Sequence, residues 1–362
     1  MSAYRRRNEM GETMTELKAG VSHVALATGC TTGGVGKTTV FLTMAESMKL
    51  QGVDVALGEM DDSQNASLFL GDGIAYRAAG KAAVKEAESD PSAVVKHGDG
   101  LYGFWASHPV TLTDTGAAVD GFIDEYMSVS ELPEIMRENG MEYWPLLVAS
   151  PNLIALEHVH ASLKAKVRLF GSSLKAAVVL NDNKGREGFA PYESEPAFRE
   201  VMAICDRLGL PVVRVPHCSS ELVTAYGNAK HIPPLRLHHL LKGHEQAKAN
   251  AAKVMATLGM TEPHFRREMA KLSGWVAASV AALDPVWKSA LGMEGGDGRR
   301  PPQTRFRTDF VGRRRVGGRG LGGHGFVEGG EPQAPGRDQR QAGRRPSPDR
   351  RGNALHADPR GP

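Results

Sequence analysis

The chain has 362 residues, enough for one large α/β domain, or two smaller ones, with a proper core. Its hydrophobic content of 41% is ordinary for a globular protein, and no run nears the roughly 18 to 20 uninterrupted apolar residues of a membrane-spanning helix. The net charge of +3 conceals a break: Glu294–Pro362 holds 15 Arg, no Lys and 8 acidic residues, a balance of +7, which leaves −4 for residues 1–293. Cys30, Cys205 and Cys218 are too few and too scattered for a disulfide framework or a zinc site, which points to reduced thiols in a cytoplasm. The first segment, 1–19, has a basic cluster but no apolar run behind it. It reads as a flexible lead rather than a secretory signal.

From there, strand-like and helix-like segments alternate, the pattern of a mostly parallel, twisted sheet with helices on both faces. "HVALAT" (23–28) is a short buried strand, and "KTTVFLTMAESMKLQG" (37–52) carries helical apolar spacing with Gly52 as its stop. Further strands are expected at 53–59, 109–114, 143–150, 174–181 and 210–216. Helices are expected over about 116–139, 151–169, 193–208 and 236–258. Residues 66–108 resist placement. Over 265–292 a stripe of Met269, Leu272, Val276, Val280 and Leu283 predicts a helix that covers the core, with Pro285 expected to break or kink it. The domain is therefore expected to occupy 20–293. Residues 294–362 are dominated by Gly, Pro and Arg, with too few apolar side chains to offset chain entropy, and read as a disordered tail. Three explanations suit it equally: a solvated tail, an altered reading frame of GC-rich DNA, or an Arg-Gly arm for nucleic acid.

The chemistry begins at "CTTGGVGKTTV" (30–40). Between a strand and a helix, Gly33, Gly34 and Gly36 let backbone N–H groups turn inward around phosphate oxygens, and a Cβ there is expected to crowd the turn. Thr32, Val35 and Thr39 complete the loop. Lys37 is placed to reach the β- and γ-phosphates, and the Thr38 hydroxyl to ligate Mg²⁺. The G-x-x-x-x-G-K-[ST] pattern asks for glycine where the chain has Thr31, the least constrained position of the cradle. Next comes "GEMDDSQNAS" (58–67), a strand ending in acids. Asp61, with Asp62 as fallback, can face a γ-phosphate and an attacking water. Then "VTLTDTGAA" (110–118) delivers Asp114 at a strand end, suited to the Mg²⁺ shell, and Gly116 and Ala117 are small enough for backbone N–H groups to approach a terminal phosphate.

These three motifs, in this order, resemble the deviant phosphate loop, first switch and second switch of the ParA/MinD ATPases, over roughly residues 20 to 240. The resemblance implies a three-layer P-loop fold, ATP and Mg²⁺ as ligands, and an ATP-dependent homodimer. Cargo would be DNA, or a DNA-bound or transfer-complex protein, as in partition, positioning and conjugation. It also implies that Asp61 orients the hydrolytic water and that Asp114 holds the metal through water. Asn181, ending "AVVLN", would contact adenine, and Pro216 would pack on the base. Two positions depart from the family. Thr32 stands where its signature lysine crosses the dimer to the partner's phosphates, and Glu59 stands where relatives often carry Asp. Lys184 or Arg186 could supply the missing charge from another direction. Two other classes compete: an ATP-dependent small-molecule ligase resembling dethiobiotin synthetase, and a nucleotide-binding scaffold that does not hydrolyse.

Overall fold

A computed structural model describes residues 17–183, 187–242 and 246–293. The tail from 294 onward, Lys184 and Arg186 lie outside the described residues, as does nearly all of segment 1–19. Seven parallel strands form one sheet: β1 (His23–Gly29), β2 (Ala56–Met60), β3 (Tyr76–Ala78), β4 (Val110–Thr115), β5 (Met141–Ala149), β6 (Ala177–Asn181) and β7 (Val212–Val215), in the order β3-β2-β4-β1-β5-β6-β7. The helices are α1 (Lys37–Leu50), α2 (Asn65–Leu70), α3 (Gly80–Ser89), α4 (Ser92–Ala106), α5 (Val119–Val129), α6 (Leu132–Glu138), α7 (Leu153–Phe170), α8 (Pro196–Leu208), α9 (Pro234–Lys242), α10 (Ala247–Leu258) and α11 (Glu262–Leu291).

Successive side chains of a strand point to opposite faces, and β1 shows how this builds two cores. Val24 and Leu26 join a large cluster with Phe41 and Met44 of α1, Leu156 of α7, Val201 of α8 and Leu272 of α11. Ala25 and Ala27 join a smaller one with Leu101 and Trp105 of α4, Ile123 of α5 and Met136 of α6. Helices thus cover both faces, the three-layer α/β/α architecture expected from the sequence.

Several boundaries differ from expectation. The helix expected over 116–139 is two, because Glu131 adopts a left-handed φ of 49° and the chain restarts with Pro133 in the first turn of α6. The helix expected over 236–258 is α9 and α10. Residues 66–108 hold α2, the short edge strand β3, and α3 and α4. Pro285 does not end α11, which continues to Leu291. The preceding residue, Asp284, is buried and accepts bonds from Ser47, Gln51 and Trp287, so tertiary contacts hold the chain helical where propensity would stop it. Leu272, Val276 and Leu283 of the stripe are buried, and Met269 and Val280 pack partly buried against the same core. Among the described residues no helix is long and apolar enough to cross a membrane.

Candidate nucleotide-binding site

Because all strands are parallel, their C-terminal ends share one edge of the sheet. The chain leaves β1 there, between β4 and β5, which open a crevice for a ligand. The turn from β1 into α1 occupies this crevice. Gly34 and Gly36 have φ of 71° and 93°, in the left-handed region where a side chain is strained. A Cβ on Gly36 would also lie 2.0 Å from Nδ2 of Asn181. Gly33 differs from expectation: its φ is not positive and a Cβ there meets nothing within 4 Å, so the turn itself does not demand glycine at that position. Val35 is buried in the large core and anchors the loop from below. Thr38 and Thr39 open α1 beside the loop, where unpaired helix N–H groups favour an anion.

Lys37 is buried at the start of α1, and its ammonium donates to the carbonyls of Cys30 and Thr32, each at 3.0 Å. Burial pushes its pKa below the usual lysine value; the more distant Cys30, Asp114, Asp120 and Asp61 oppose that shift. The Cys30 thiol is pushed up, mainly by burial.

Asp114 is the penultimate residue of β4, next to β1. It accepts from Thr38 Oγ1 at 2.7 Å and from Thr28 Oγ1 at 3.0 Å, and Thr28 in turn accepts the Thr115 N–H at 3.1 Å. Burial raises the Asp114 carboxyl to about 7, against the hydrogen bonds of Thr38 and Thr28 and with some repulsion from Glu59. The group is thus a buried carboxylate that meets only neutral donors, and its oxygen and the Thr38 hydroxyl form a hard-donor pair that suits Mg²⁺.

The two acidic motifs converge. Asp61 follows β2, and its carboxylate accepts the Ser63 N–H at 3.2 Å and the Ser63 hydroxyl at 2.7 Å. Oδ1 of Asp61 lies 3.0 Å from where a Cβ on Gly116 would sit, so the small residue lets these segments touch. The Gly116 N–H donates to Met60 O at 2.8 Å and so spans β2 and β4. Asp62, the fallback, is exposed and accepts the Lys81 N–H at the start of α3. Glu59 is buried and points elsewhere. Its oxygens accept the Ala66 and Ser67 N–H groups at 2.7 and 3.1 Å and cap α2, which accounts for the extra methylene.

On the other side of the loop, Asn181 Nδ2 donates to Val35 O and Asn183 Nδ2 to Gly34 O, both at 2.8 Å. Asn181 thereby holds the loop, with its amide nitrogen spent on backbone rather than pointed at a base. Pro216 follows β7, and its carbonyl accepts Trp275 Nε1 of α11 at 2.8 Å. Glu268 of α11 ties the same segment down through the Glu221 N–H at 2.8 Å. Glu221, His264 and Glu268 bring metal-type ligand atoms within 4.8 Å of one another, but the Lys271 ammonium sits 2.5 Å from the Glu268 oxygen that faces His264, so the group works as an ion-paired latch. Three residues at the loop carry no signature in the sequence. Thr28 braces Asp114, Asn183 holds the loop, and His158 meets Thr32 with Nδ1 2.6 Å from Oγ1.

A parallel sheet whose central strand turns through glycines into a helix, with carboxylates on the neighbouring strand ends, is a phosphate-loop nucleotide-binding domain. The chain belongs to the CobQ/CobB/MinD/ParA nucleotide-binding family, whose model matches residues 26–226. No curated protein matches it. Among solved structures it is similar to the MinC:MinD cell division protein complex of Aquifex aeolicus, at 14% identity over 66% of this chain and 96% of that one, with a TM-score of 0.38. MinD cell division protein from Aquifex aeolicus gives 14% identity over 66% and 98%, with a TM-score of 0.36. The ATP complex of a McdA variant from Cyanothece gives 14% over 67% and 98%, with a TM-score of 0.39. Scores of this size leave the family assignment resting on the sequence match.

Proposed function

We propose that the protein is a Mg²⁺-dependent ATPase that acts as a nucleotide-controlled switch in the positioning, partition or transfer of DNA. The observation that carries this reading is the Thr38–Asp114 contact, a loop hydroxyl on a buried carboxylate whose direct partners among the described residues are hydroxyls, with Asp61 packed beside Gly116 at the same sheet edge. Lys37, now folded onto two carbonyls, turns to the β- and γ-phosphates, and the N–H groups from Gly33 to Thr39 line the rest of the cradle. Thr38 and Asp114 hold the magnesium shell, and the ion supplies charge neutralisation at the phosphates. Asp61 orients the attacking water, and Gly116, bonded to Met60, senses the loss of the terminal phosphate. Asn181 and Pro216 border the base. Two copies would associate in the ATP state.

A basic groove of about 420 Å³ lies between α7 and α8. Lys164, Arg168 and Arg207 line it with a single acid, Glu200, which lies 2.7 Å from His160 Nε2, over an apolar floor of Val167 and Ile204; the excess of cations suits a DNA backbone as partner. The test is phosphate release with ATP or GTP, with and without DNA. Turnover of ATP that needs Mg²⁺ and rises with DNA supports the switch, whereas turnover only with a small carboxylic or amine acceptor supports the ligase reading. The neutral Thr32 favours one second reading, a scaffold that binds ATP and releases no phosphate, and the same assay reports it.

A further inference from the structure

Position 32 carries no charge of its own, but its hydroxyl meets a specific partner. The other polar groups of Thr32 are committed within the loop: its N–H donates to Cys30 Sγ at 3.4 Å, and its carbonyl accepts the Lys37 ammonium at 3.0 Å. Oγ1 lies 2.6 Å from Nδ1 of His158, on the second turn of α7, and both side chains are half-buried at the rim of the loop. We propose that His158 is a positioning residue of the phosphate site, which donates through Nδ1–H to Thr32 and so turns the Thr32 hydroxyl proton toward a polyphosphate oxygen.

The polarity of one hydroxyl decides the matter. A threonine oxygen has one proton to give and two lone pairs. If its proton went to the imidazole, lone pairs would face the anion. If Nδ1–H donates instead, the hydroxyl is left as a donor, and a neutral residue contributes attraction where the family uses a cation. The arrangement is fixed before any ligand arrives. Asn152 caps α7 by accepting the Ala155 N–H at 2.8 Å, and Lys166 two turns beyond His158 is locked to Asp120 of α5 at 3.0 Å. A donor held this way loses little freedom when it is used.

This inference rests on the loop being a phosphate site, and the experiment separates the two claims. ATP affinity is measured by titration calorimetry with Mg²⁺ for the parent chain, Lys37→Ala, His158→Ala, His158→Gln, Thr32→Val and the His158→Ala/Thr32→Val double variant. A hydrogen bond to a charged group gives roughly tenfold or more in affinity, so His158→Ala and Thr32→Val should each lose about that factor. Loss of both together should be no larger than either alone, because one bond is being removed. His158→Gln, which keeps an N–H donor, should recover most of it, as a merely structural gap would not. Parent-like affinity in Thr32→Val, or losses that multiply in the double variant, overturn the proposal, and Thr32→Val decides the case if His158→Ala fails to fold. Lys37→Ala losing affinity while His158→Ala does not would sink this inference and spare the phosphate site; parent-like binding in Lys37→Ala would sink both.

Discussion

Lys37 of α1 and Lys166 of α7 are both buried, and burial acts on them with opposite outcomes. Lys166 of α7 is fully enclosed, yet its pKa is raised. Burial alone would lower it, but Asp120 at 3.0 Å and Asp124, also in direct contact, outweigh that cost. Lys37 is pushed down by burial, since its ammonium contacts carbonyl dipoles and the carboxylates that oppose the shift do not pair with it directly. The carboxylates divide by partner: Asp120 and Asp124 face a cation, whereas Asp114 faces two hydroxyls, and burial raises Asp124 to about 6 even beside Lys166 and Asp114 to about 7. One cluster pairs its charges directly. The other holds both signs of charge apart, each supported by neutral groups that could yield to a ligand bringing phosphates for the lysine and a metal for the carboxylate. Buried charge is structural in the first case and poised for a ligand in the second.

The sharpest way to break that contrast is to neutralise each lysine in turn. Lys166→Met leaves the buried Asp120 and the half-buried Asp124 without a counter-charge and should destabilise the fold by about 3 kcal/mol in urea unfolding. Lys37→Met removes an ammonium from a site that burial already disfavours, so the nucleotide-free fold should change by less than about 1 kcal/mol. The same variant should lose at least about a hundredfold in ATP affinity, since charge-assisted bonds to phosphate vanish. Equal destabilisation by the two substitutions would show that the clusters do not differ in kind.

Asp114 sharpens the comparison through pH. Its carboxyl titrates near 7 in the fold and, by its ordinary value, near 3.8 in the unfolded chain, so between those pH values the folded state holds a proton that the unfolded state releases. The stability associated with this group is present below about pH 4, is lost as pH rises, and is fully gone above about 7. Asp114→Asn should therefore flatten the pH dependence of nucleotide-free stability and gain on the order of 2 kcal/mol at pH 8 relative to the parent. The same variant should bind Mg·ATP poorly. Chemical denaturation at pH 5 and pH 8 checks it; an unchanged slope between the two would mean that Asp114 is ionised in the fold.

Gly36→Ala probes the frame around those charges. Its φ of 93° costs a side chain about 1–2 kcal/mol, and the Asn181 amide, 2.0 Å from the new methyl, has to give up Val35 O. We expect a loss of about 2 kcal/mol in stability, together with weakened ATP binding. Gly33→Ala, with an ordinary φ and open space around it, should cost less than about 0.5 kcal/mol before ligand is added.

What the sequence discloses follows the range of the interactions. Strand, glycine turn and helix are local patterns, so the β1–α1 unit and the strands carrying Asp61 and Asp114 are readable from hydrophobic periodicity. β3 is an edge strand of three residues, Tyr76 and Ala78 facing the core and Arg77 facing out, and so short an alternation does not stand out from its surroundings. The turn between α5 and α6 has a glutamate at positive φ where glycine would announce it, although Pro133 in the next turn was a usable sign. Pro285 misleads because the contacts of Asp284 reach across 237 residues to Ser47. His158 and Asn183 meet the loop across 126 and 149 residues, and neither has a motif of its own. Local chemistry is written in spacing; the partners that tune it are chosen by topology.

Glu59 gives the smallest expected effect and the finest distinction. It sits opposite Asp114 in the register of β2 and β4, one strand from the loop, so position alone would admit it to the metal shell. Its oxygens, however, are spent on the Ala66 and Ser67 N–H groups of a six-residue helix, too short to hold itself together. Glu59→Gln keeps one acceptor and turns an NH₂ toward a donor, which should cost about 1 kcal/mol in stability. Mg·ATP affinity should stay within about twofold, because neither a phosphate nor a metal contact is removed. If affinity for Mg·ATP fell tenfold at unchanged stability, Glu59 would belong with Asp114 among the ligand-facing charges, and the boundary between the two kinds of buried charge would move one strand outward.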